Sequence, residues 1–429
     1  MDKKAVFQEL IADFIRRPDR LVKTRDQVIP HDIPKIISLL GPRRAGKTYI
    51  LFSLIEKLKE TIPSARLVYV NFEDDRLFPL KLEDMDGLVK GYYEMYPENK
   101  DHTVYFFFDE IQEVDQWEKF IRRIHDQENC RIFITGSSSR LLSRELATSL
   151  RGRTLPFEVF PLSFKEFLSF RNVSYDLFSS KGQAVLASEL NKYMTQGGFP
   201  ELIFLPEELH KDVINEYINL MLYRDLTERF SLKHPHLIKY LLKFLLTNMG
   251  RTLSVNKIYL DLKSQGYAVG KNTVYDYISY LEEAFIIFRV DLFSRSIRRQ
   301  AVNPSKIYGI DPAFKYAMSI GEDKGQVFEN TVFMELRRRK KQPFYLLEKQ
   351  ETDFYTEEGL LINACMDISH PETRKREINS LAEAMDLLGL SESQLITRDK
   401  KEEIQLPGKM IRVRPLWEFL LEGRDYEDV

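Results

Sequence analysis

The sequence predicts an α/β fold centred on a parallel sheet buried on both faces, and three observations carry that prediction. First, short and almost wholly apolar runs recur in its first part: Lys35 to Leu40 (KIISLL), Leu67 to Phe72 (LVYVNF), Val104 to Phe108 (VYFFF) and Arg131 to Thr135 (RIFIT). Runs of this length without a polar face suit fully buried strands. Second, stretches with helical spacing separate them, which is the alternation of a parallel sheet packed between helices. Third, a glycine-bearing turn, Gly41 to Thr48, sits between the first run and the next helical stretch.

In chain order, Phe7, Leu10, Ile11, Phe14 and Ile15 recur at helical spacing, so the chain opens on an amphipathic helix. The KIISLL strand and its turn lead into a helix over Tyr49 to Thr61. The LVYVNF and VYFFF strands follow, then a helix around Trp117 to His125, then the RIFIT strand. After Pro161 the strands stop. Residues 162 to about 250 read as mostly helical, interrupted by a turn at Gly197-Gly198-Phe199-Pro200. Residues 251–300 read as a helix-turn-helix block: a first helix over Ser254 to Lys263 with Ser254 as its cap, a turn at Gly266 to Gly270, and a second helix over Lys271 to Ile287. Around Asn303-Pro304 a new alternation starts. It contains a helix near Gln326 to Arg339, short strands, and a last apolar segment through Pro415-Leu416-Trp417.

Composition excludes several classes. A chain of 429 residues is too long for one hydrophobic core, so roughly two to four domains are expected. The formal net charge of -2 confines any nucleic-acid surface to a local patch. Cys130 and Cys365 lie in no CxxC or Cys/His cluster, which argues against a zinc site and a disulfide framework and suits a reducing cytosol. The first residues lack the apolar centre of a signal peptide, and no apolar run approaches the roughly 20 residues that span a bilayer. A cytoplasmic protein without a membrane partner is the expectation.

The turn Gly41-Pro42-Arg43-Arg44-Ala45-Gly46-Lys47-Thr48 fits GxxxxGK[ST] between a strand and a helix, the context in which that pattern cradles phosphates. Its glycines let backbone N–H groups close on the phosphates, and the following helix directs its positive end at them. Lys47 would reach the β- and γ-phosphates and Thr48 would ligate magnesium. Asp109 ends the VYFFF strand, where an aspartate can hold magnesium through water; Glu110 beside it can deprotonate or orient the attacking water. These two could instead be acidic residues opening a helix. Ser137, after the RIFIT strand, is placed to touch the γ-phosphate, as are Ser138 and Ser139, unless the segment is a plain turn. Arg153, in Arg151-Gly152-Arg153, is either an arginine that stabilises transferring phosphate across a subunit contact or part of a solvated basic pair.

The segments GPRRAGKT, NFEDDRL, FFFDEIQEV, ITGSSS, LRGRTLPFEVFPLSFKEF and QGGFPE, in that order, resemble the prokaryotic AAA+-type ATPases that carry a C-terminal domain of unknown function. The likeness continues through SVNKIYLDLK, TVYDYISYLEEAFIIF, VFENTVFMELRRR, ETDF and PLWEFLL, nearly the whole chain. It implies a parallel-sheet P-loop ATPase core, a helical lid, a winged-helix segment and an α/β nuclease-like C-terminal domain. It also implies ATP as the nucleotide, with magnesium, and homo-oligomeric assembly; no NKxD guanine-reading motif is present. The corresponding division is 1–30 for the N-terminal helix, 31–160 for the core, 161–235 for the lid, 236–300 for the winged-helix-like segment and 301–429 for the nuclease-like domain.

Two further segments bear on partners. Lys271, Asn272, Thr273, Tyr275 and Asp276 open the second helix of the helix-turn-helix block, and Arg295, Arg298 and Arg299 follow on an expected wing. They are either a DNA contact or a solvated, protein-facing surface. In the C-terminal part the resemblance implies a glutamate on a helix, an aspartate on a strand and E-x-K on the next strand. Glu329 and Asp353 match the first two, and Glu351 lies on the same strand face as Asp353. The E-x-K positions hold Asn363, Ala364 and Cys365. Asparagine brings no charge to a metal and cysteine cannot replace the lysine, so a catalytically inactive domain is expected. The sequence thus expects an ATPase coupled to a DNA- or protein-associated assembly. A slow nucleotide-dependent switch and an ATP-gated nuclease are the alternatives.

Overall fold

The computed structural model describes residues 2–19, 22–137, 149–232, 234–318 and 323–422. The chain forms two compact units, Met1–Val159 and Phe160–Val429. In the first, α1 (Lys3–Ile15) starts at Asp2, whose side chain accepts a hydrogen bond from Lys4 N at 3.0 Å, and it buries Val6, Phe7 and Ile11. The sheet consists of β1 (Ile36–Leu40), β2 (Leu67–Asn71), β3 (Val104–Asp109), β4 (Cys130–Gly136) and β5 (Thr154–Glu158) in the order β2-β3-β4-β1-β5. Every pairing is parallel. β1 and β3 are buried at each position, as strands covered on both faces must be. α2 (Lys47–Lys59), α3 (Met85–Met95) and α4 (Trp117–Gln127) supply the helices.

Parallel strands deliver all their C-terminal ends to one edge, where open α/β sheets bind ligands. Here Leu40 aligns with Gly136 and Asn71 with Asp109. β5 went unread in the sequence. It pairs with β1 alone, at the sheet's margin, and Leu155 and Pro156 are exposed. Proline lacks a donor for the ladder and is tolerated at such an edge.

The second unit opens with helices Phe164–Phe170, Ser180–Gln196 and His210–Leu220, the last running into a π-helical stretch, Met221–Glu228. Helix Pro235–Thr247 follows. Then come helices Val255–Ser264 and Lys271–Glu283 with an antiparallel sheet of β6 (Thr252–Leu253), β7 (Ile287–Val290) and β8 (Ser305–Gly309), ordered β6-β8-β7. The second of these helices stops short of Ile287: Phe285 takes a left-handed conformation (φ 57°) and β7 begins. Ser254 occupies the N-cap of the first, but its side chain makes no capping hydrogen bond. Arg298 and Arg299 lie in a short helix, Ile297–Val302, between β7 and β8 rather than on an extended wing.

Helices Pro312–Met318 and Lys324–Arg338 lead into a mixed sheet of β9 (Phe344–Leu347), β10 (Glu351–Tyr355), β11 (Leu361–Ala364), β12 (Glu392–Thr397), β13 (Glu402–Leu406) and β14 (Lys409–Pro415), ordered β13-β14-β12-β11-β10-β9. Helix Pro371–Leu388 packs on it and helix Leu416–Leu421 follows it. A large hydrophobic core runs from Phe160 through Leu246, Val274 and Tyr308 to Leu420 and takes in Phe354, Ile362 and Ile396 of the later sheet, while Leu361, Leu395, Ile411 and Val413 of that sheet form a second core with Leu381 and Met385 of helix Pro371–Leu388. A buried carboxylate ties parts of this unit together. Asp311 accepts hydrogen bonds from Gly198 N and Ala313 N, each at 2.8 Å, which fixes the Gly197-Gly198 turn. Among the described residues, no helix is long and apolar enough to cross a membrane.

Candidate functional site

The Gly41–Thr48 turn leaves the end of β1 and closes on the start of α2. Gly41 has no room for a side chain, since a Cβ would run into the carbonyl oxygen of Val159. Gly46 sits at φ 97°, a conformation open to glycine, immediately before the helix. Lys47 is buried; its Nζ donates to Gly41 O at 3.0 Å and Pro42 O at 3.1 Å. The ammonium therefore points into the loop. Arg43 points elsewhere, pairing with Glu73 at 2.8 Å, and Arg44 is exposed.

Asp109 ends β3 with 1% of its surface exposed. Thr48 Oγ1 and Tyr69 Oη each donate to its Oδ2 at 2.8 Å, and Thr135 Oγ1 donates to its Oδ1 at 2.5 Å. Burial, then the adjacent Glu110, pushes its carboxyl above the ordinary value, while these three hydrogen bonds pull the other way. Glu110 follows in a left-handed conformation (φ 52°), which turns its side chain toward the loop. Its Oε1 lies 3.7 Å from Lys47 Nζ, its Oε2 accepts from Gln112 Nε2 at 2.6 Å, and its N–H donates to Thr135 Oγ1 at 2.9 Å. Burial would raise the Glu110 carboxyl, but Lys47, Gln112 and Arg43 more than offset it and hold it below its ordinary value.

The structure therefore brings Lys47, Thr48, Asp109 and Glu110 together. Gly41 N donates to Gly136 O at 3.4 Å, which sets the end of β4 beside the loop with buried Ser137 just beyond. Ser138 and Ser139 lie outside the described residues. Arg153 is not part of this group. It precedes β5 at the opposite end of the strands, where its backbone carbonyl accepts from Ile36 N, and its guanidinium makes a two-pronged contact with Asp126 at 2.8 and 3.1 Å. Sequence reasoning missed Tyr69, Gln112 and Thr135. The signal available for Thr135 was a polar residue after the apolar run Ile132-Phe133-Ile134.

In the second unit, Lys271, Asn272, Tyr275 and Asp276 are exposed at the start of their helix, and Thr273 is half-buried; Arg295, Arg298 and Arg299 are also exposed. The C-terminal sheet gathers a residue that no local spacing pointed to. Asn363 and Cys365 do occupy the places beside Asp353, yet a cation is present: Lys306, from β8, pairs with Glu329, Glu351 and Asp353. Asn363 is turned aside, donating to Glu377 Oε2 at 2.8 Å. Cys365 Sγ contacts Asp367 O.

A parallel β2-β3-β4-β1-β5 sheet with a glycine-bearing loop after β1 is a P-loop ATPase core. The AAA domain family matches residues 34–168, and a domain of unknown function (DUF8612) matches residues 187–324. A relative described as "Uncharacterized protein MJ1544", from Methanocaldococcus jannaschii, is 37% identical over 98% of this chain and 96% of its own length. An uncharacterized protein of Haemophilus influenzae is 32% identical over 72% of this chain and 75% of its own. The chain belongs to the AAA+-type ATPase family, in the branch whose ATPase core continues into a C-terminal domain of unknown function. Among solved structures, the DNA-bound Orc1 protein of Aeropyrum pernix aligns with 79% of this chain and 93% of its own at 14% identity and a TM-score of 0.33, too slight a likeness to argue from.

Proposed function

We propose that this chain binds ATP with magnesium at Gly41–Thr48 and hydrolyses it, using the nucleotide state to drive conformational change in a DNA- or protein-associated assembly. The observation that supports this most is the buried group in which Thr48 bonds Asp109 while Glu110 stands 3.7 Å from Lys47. Thr48 Oγ1 and Asp109 Oδ2 are the hard oxygen donors that magnesium takes, so the residues fit the ion. When bound, magnesium draws charge from the β- and γ-phosphate oxygens.

The chain's own residues do the rest. Loop N–H groups and the start of α2 hold the phosphates. Lys47 exchanges the Gly41 and Pro42 carbonyls for phosphate oxygens. Phosphate also competes with Glu110 for Lys47. As Lys47 turns to the phosphate, Glu110 loses the cation that depresses its carboxyl and becomes the stronger base for the attacking water. Ser137 is placed to contact the γ-phosphate, and Arg153 serves a neighbouring subunit. We assign the domains to the divisions that the sequence expects, with residues 236–300 as a winged-helix-like segment whose Lys271, Arg295, Arg298 and Arg299 contact DNA.

Lys47→Ala is expected to lose ATP binding in a direct assay. Glu110→Gln is expected to bind ATP and lose turnover by roughly 10² or more. Normal affinity in the first, or normal turnover in the second, overturns the assignment. A slow nucleotide-dependent switch is the second reading, favoured by the binding of Arg153 to Asp126 away from its own chain's loop. Turnover with and without DNA, with mass by light scattering in each nucleotide state, separates the two.

A further inference from the structure

We propose that Lys306 is a resident cation: its ammonium fills the place where Glu329, Glu351 and Asp353 would otherwise hold a divalent metal, so this cluster is closed to metal in the native fold. The lysine comes from β8, the first acid from helix Lys324–Arg338 and the other two from β10. Its Nζ lies 2.8 Å from Glu351 Oε1, 3.0 Å from Glu329 Oε1 and 3.0 Å from Asp353 Oδ1. An ammonium has three N–H donors and no acceptor. Two of those donors form hydrogen bonds, to Glu329 Oε1 and Asp353 Oδ1, and Glu351 Oε1 pairs with the ammonium as a third counter-charge.

The lysine side chain is completely buried, while the acids are partly open, Glu351 most of all at 38%. Burial works against its charge, but Tyr308 and the three acids outweigh that and keep the amine protonated well above its ordinary range. Burial, then Asp353, pushes the Glu329 carboxyl up, against the pull of Lys306 and Tyr308. Further lone pairs are engaged: Tyr308 Oη donates to Glu329 Oε1 at 2.6 Å and Ala364 N to Asp353 Oδ2 at 2.9 Å. Asn363 braces rather than ligates, its Oδ1 accepting from Asp353 N at 3.1 Å.

A magnesium ion demands near-octahedral oxygen ligands and sheds water reluctantly. Here every inward oxygen lies within 3.0 Å of an ammonium, so an ion added to the same oxygens would sit against a positive charge. The lysine offers what a structural metal offers, a cation that joins a strand, a helix and a second strand. Unlike a metal-bound water, it supplies no hydroxide.

The test is Mn2+ binding by the nucleotide-free full-length chain, read from loss of the free-ion electron paramagnetic resonance signal. Wild type and Glu351→Gln are expected to bind the same amount. Lys306→Gln, which keeps an amide donor in place of the ammonium, is expected to gain roughly one equivalent. That gain should vanish in Lys306→Gln with Asp353→Asn, while any Mn2+ at the phosphate loop is common to all variants. Mn2+ bound by wild type and lost in Glu351→Gln would overturn the proposal. So would a folded Lys306→Gln that gains none. Should Lys306→Gln fail to fold, the comparison of wild type with Glu351→Gln decides alone.

Discussion

Thr135 shows how much one side chain can hold. Its hydroxyl donates to Asp109 Oδ1 and accepts from Glu110 N, so a single residue of β4 fixes both acids that end β3. Thr135→Val keeps the shape and removes both bonds. Asp109 then loses a hydrogen bond that favours its charged form, and the Glu110 amide is left buried without its partner, a cost of about 1–3 kcal/mol. The expected result is a lower melting temperature and a several-fold higher magnesium concentration for half-maximal turnover. An unchanged magnesium dependence would mean that Asp109 is positioned by Thr48 and Tyr69 alone. Lys47, Thr48, Asp109 and Glu110 were legible because their types stand at fixed places relative to a strand end. Tyr69 and Thr135 were not, because in sequence they are ordinary strand residues and only the sheet order β2-β3-β4 sets them on either side of Asp109.

The four buried strands of the first unit were legible as elements because nothing in them needed water. β5 was not, since none of its five residues is buried and Pro156 describes an edge, and an edge has no distinctive pattern of its own. The cation in the C-terminal cluster was hidden for another reason. Lys306 lies 23 residues from Glu329 and 47 from Asp353, and no local spacing connects them. Asp311 joins elements across a longer gap, 113 residues, to Gly198. Burial pushes its carboxyl up to about 6, against the pull of the Gly198 and Ala313 amides. A carboxyl raised on folding favours the folded state most below its ordinary value of 3.8, less as pH rises, and not at all above about 6. Between pH 7 and pH 5 the wild type should therefore gain roughly 1 kcal/mol relative to Asp311→Asn. Parallel melting curves for the two proteins over that range would show that Asp311 does not titrate in the folded unit.

At the scale of the molecule, the class of protein was legible from motifs in order, while the cooperation of its parts was not. Arg153 is the clearest case. It stands at the far end of the strands from its own loop, held by Asp126. If it serves a neighbour, Arg153→Ala should lower turnover only at concentrations where the chain assembles, and Asp126→Ala should not reproduce the loss. Equal loss in dilute monomer, or the same loss in Asp126→Ala, would mark the arginine as a local brace. β5 has one more property. Arg153 stands at its start, and Val159, whose carbonyl leaves Gly41 no space, lies just past its end. Val159 is also the last residue of the first unit. Those five residues therefore carry a guanidinium before one end and, just past the other, the carbonyl that sets how closely the loop's first glycine packs.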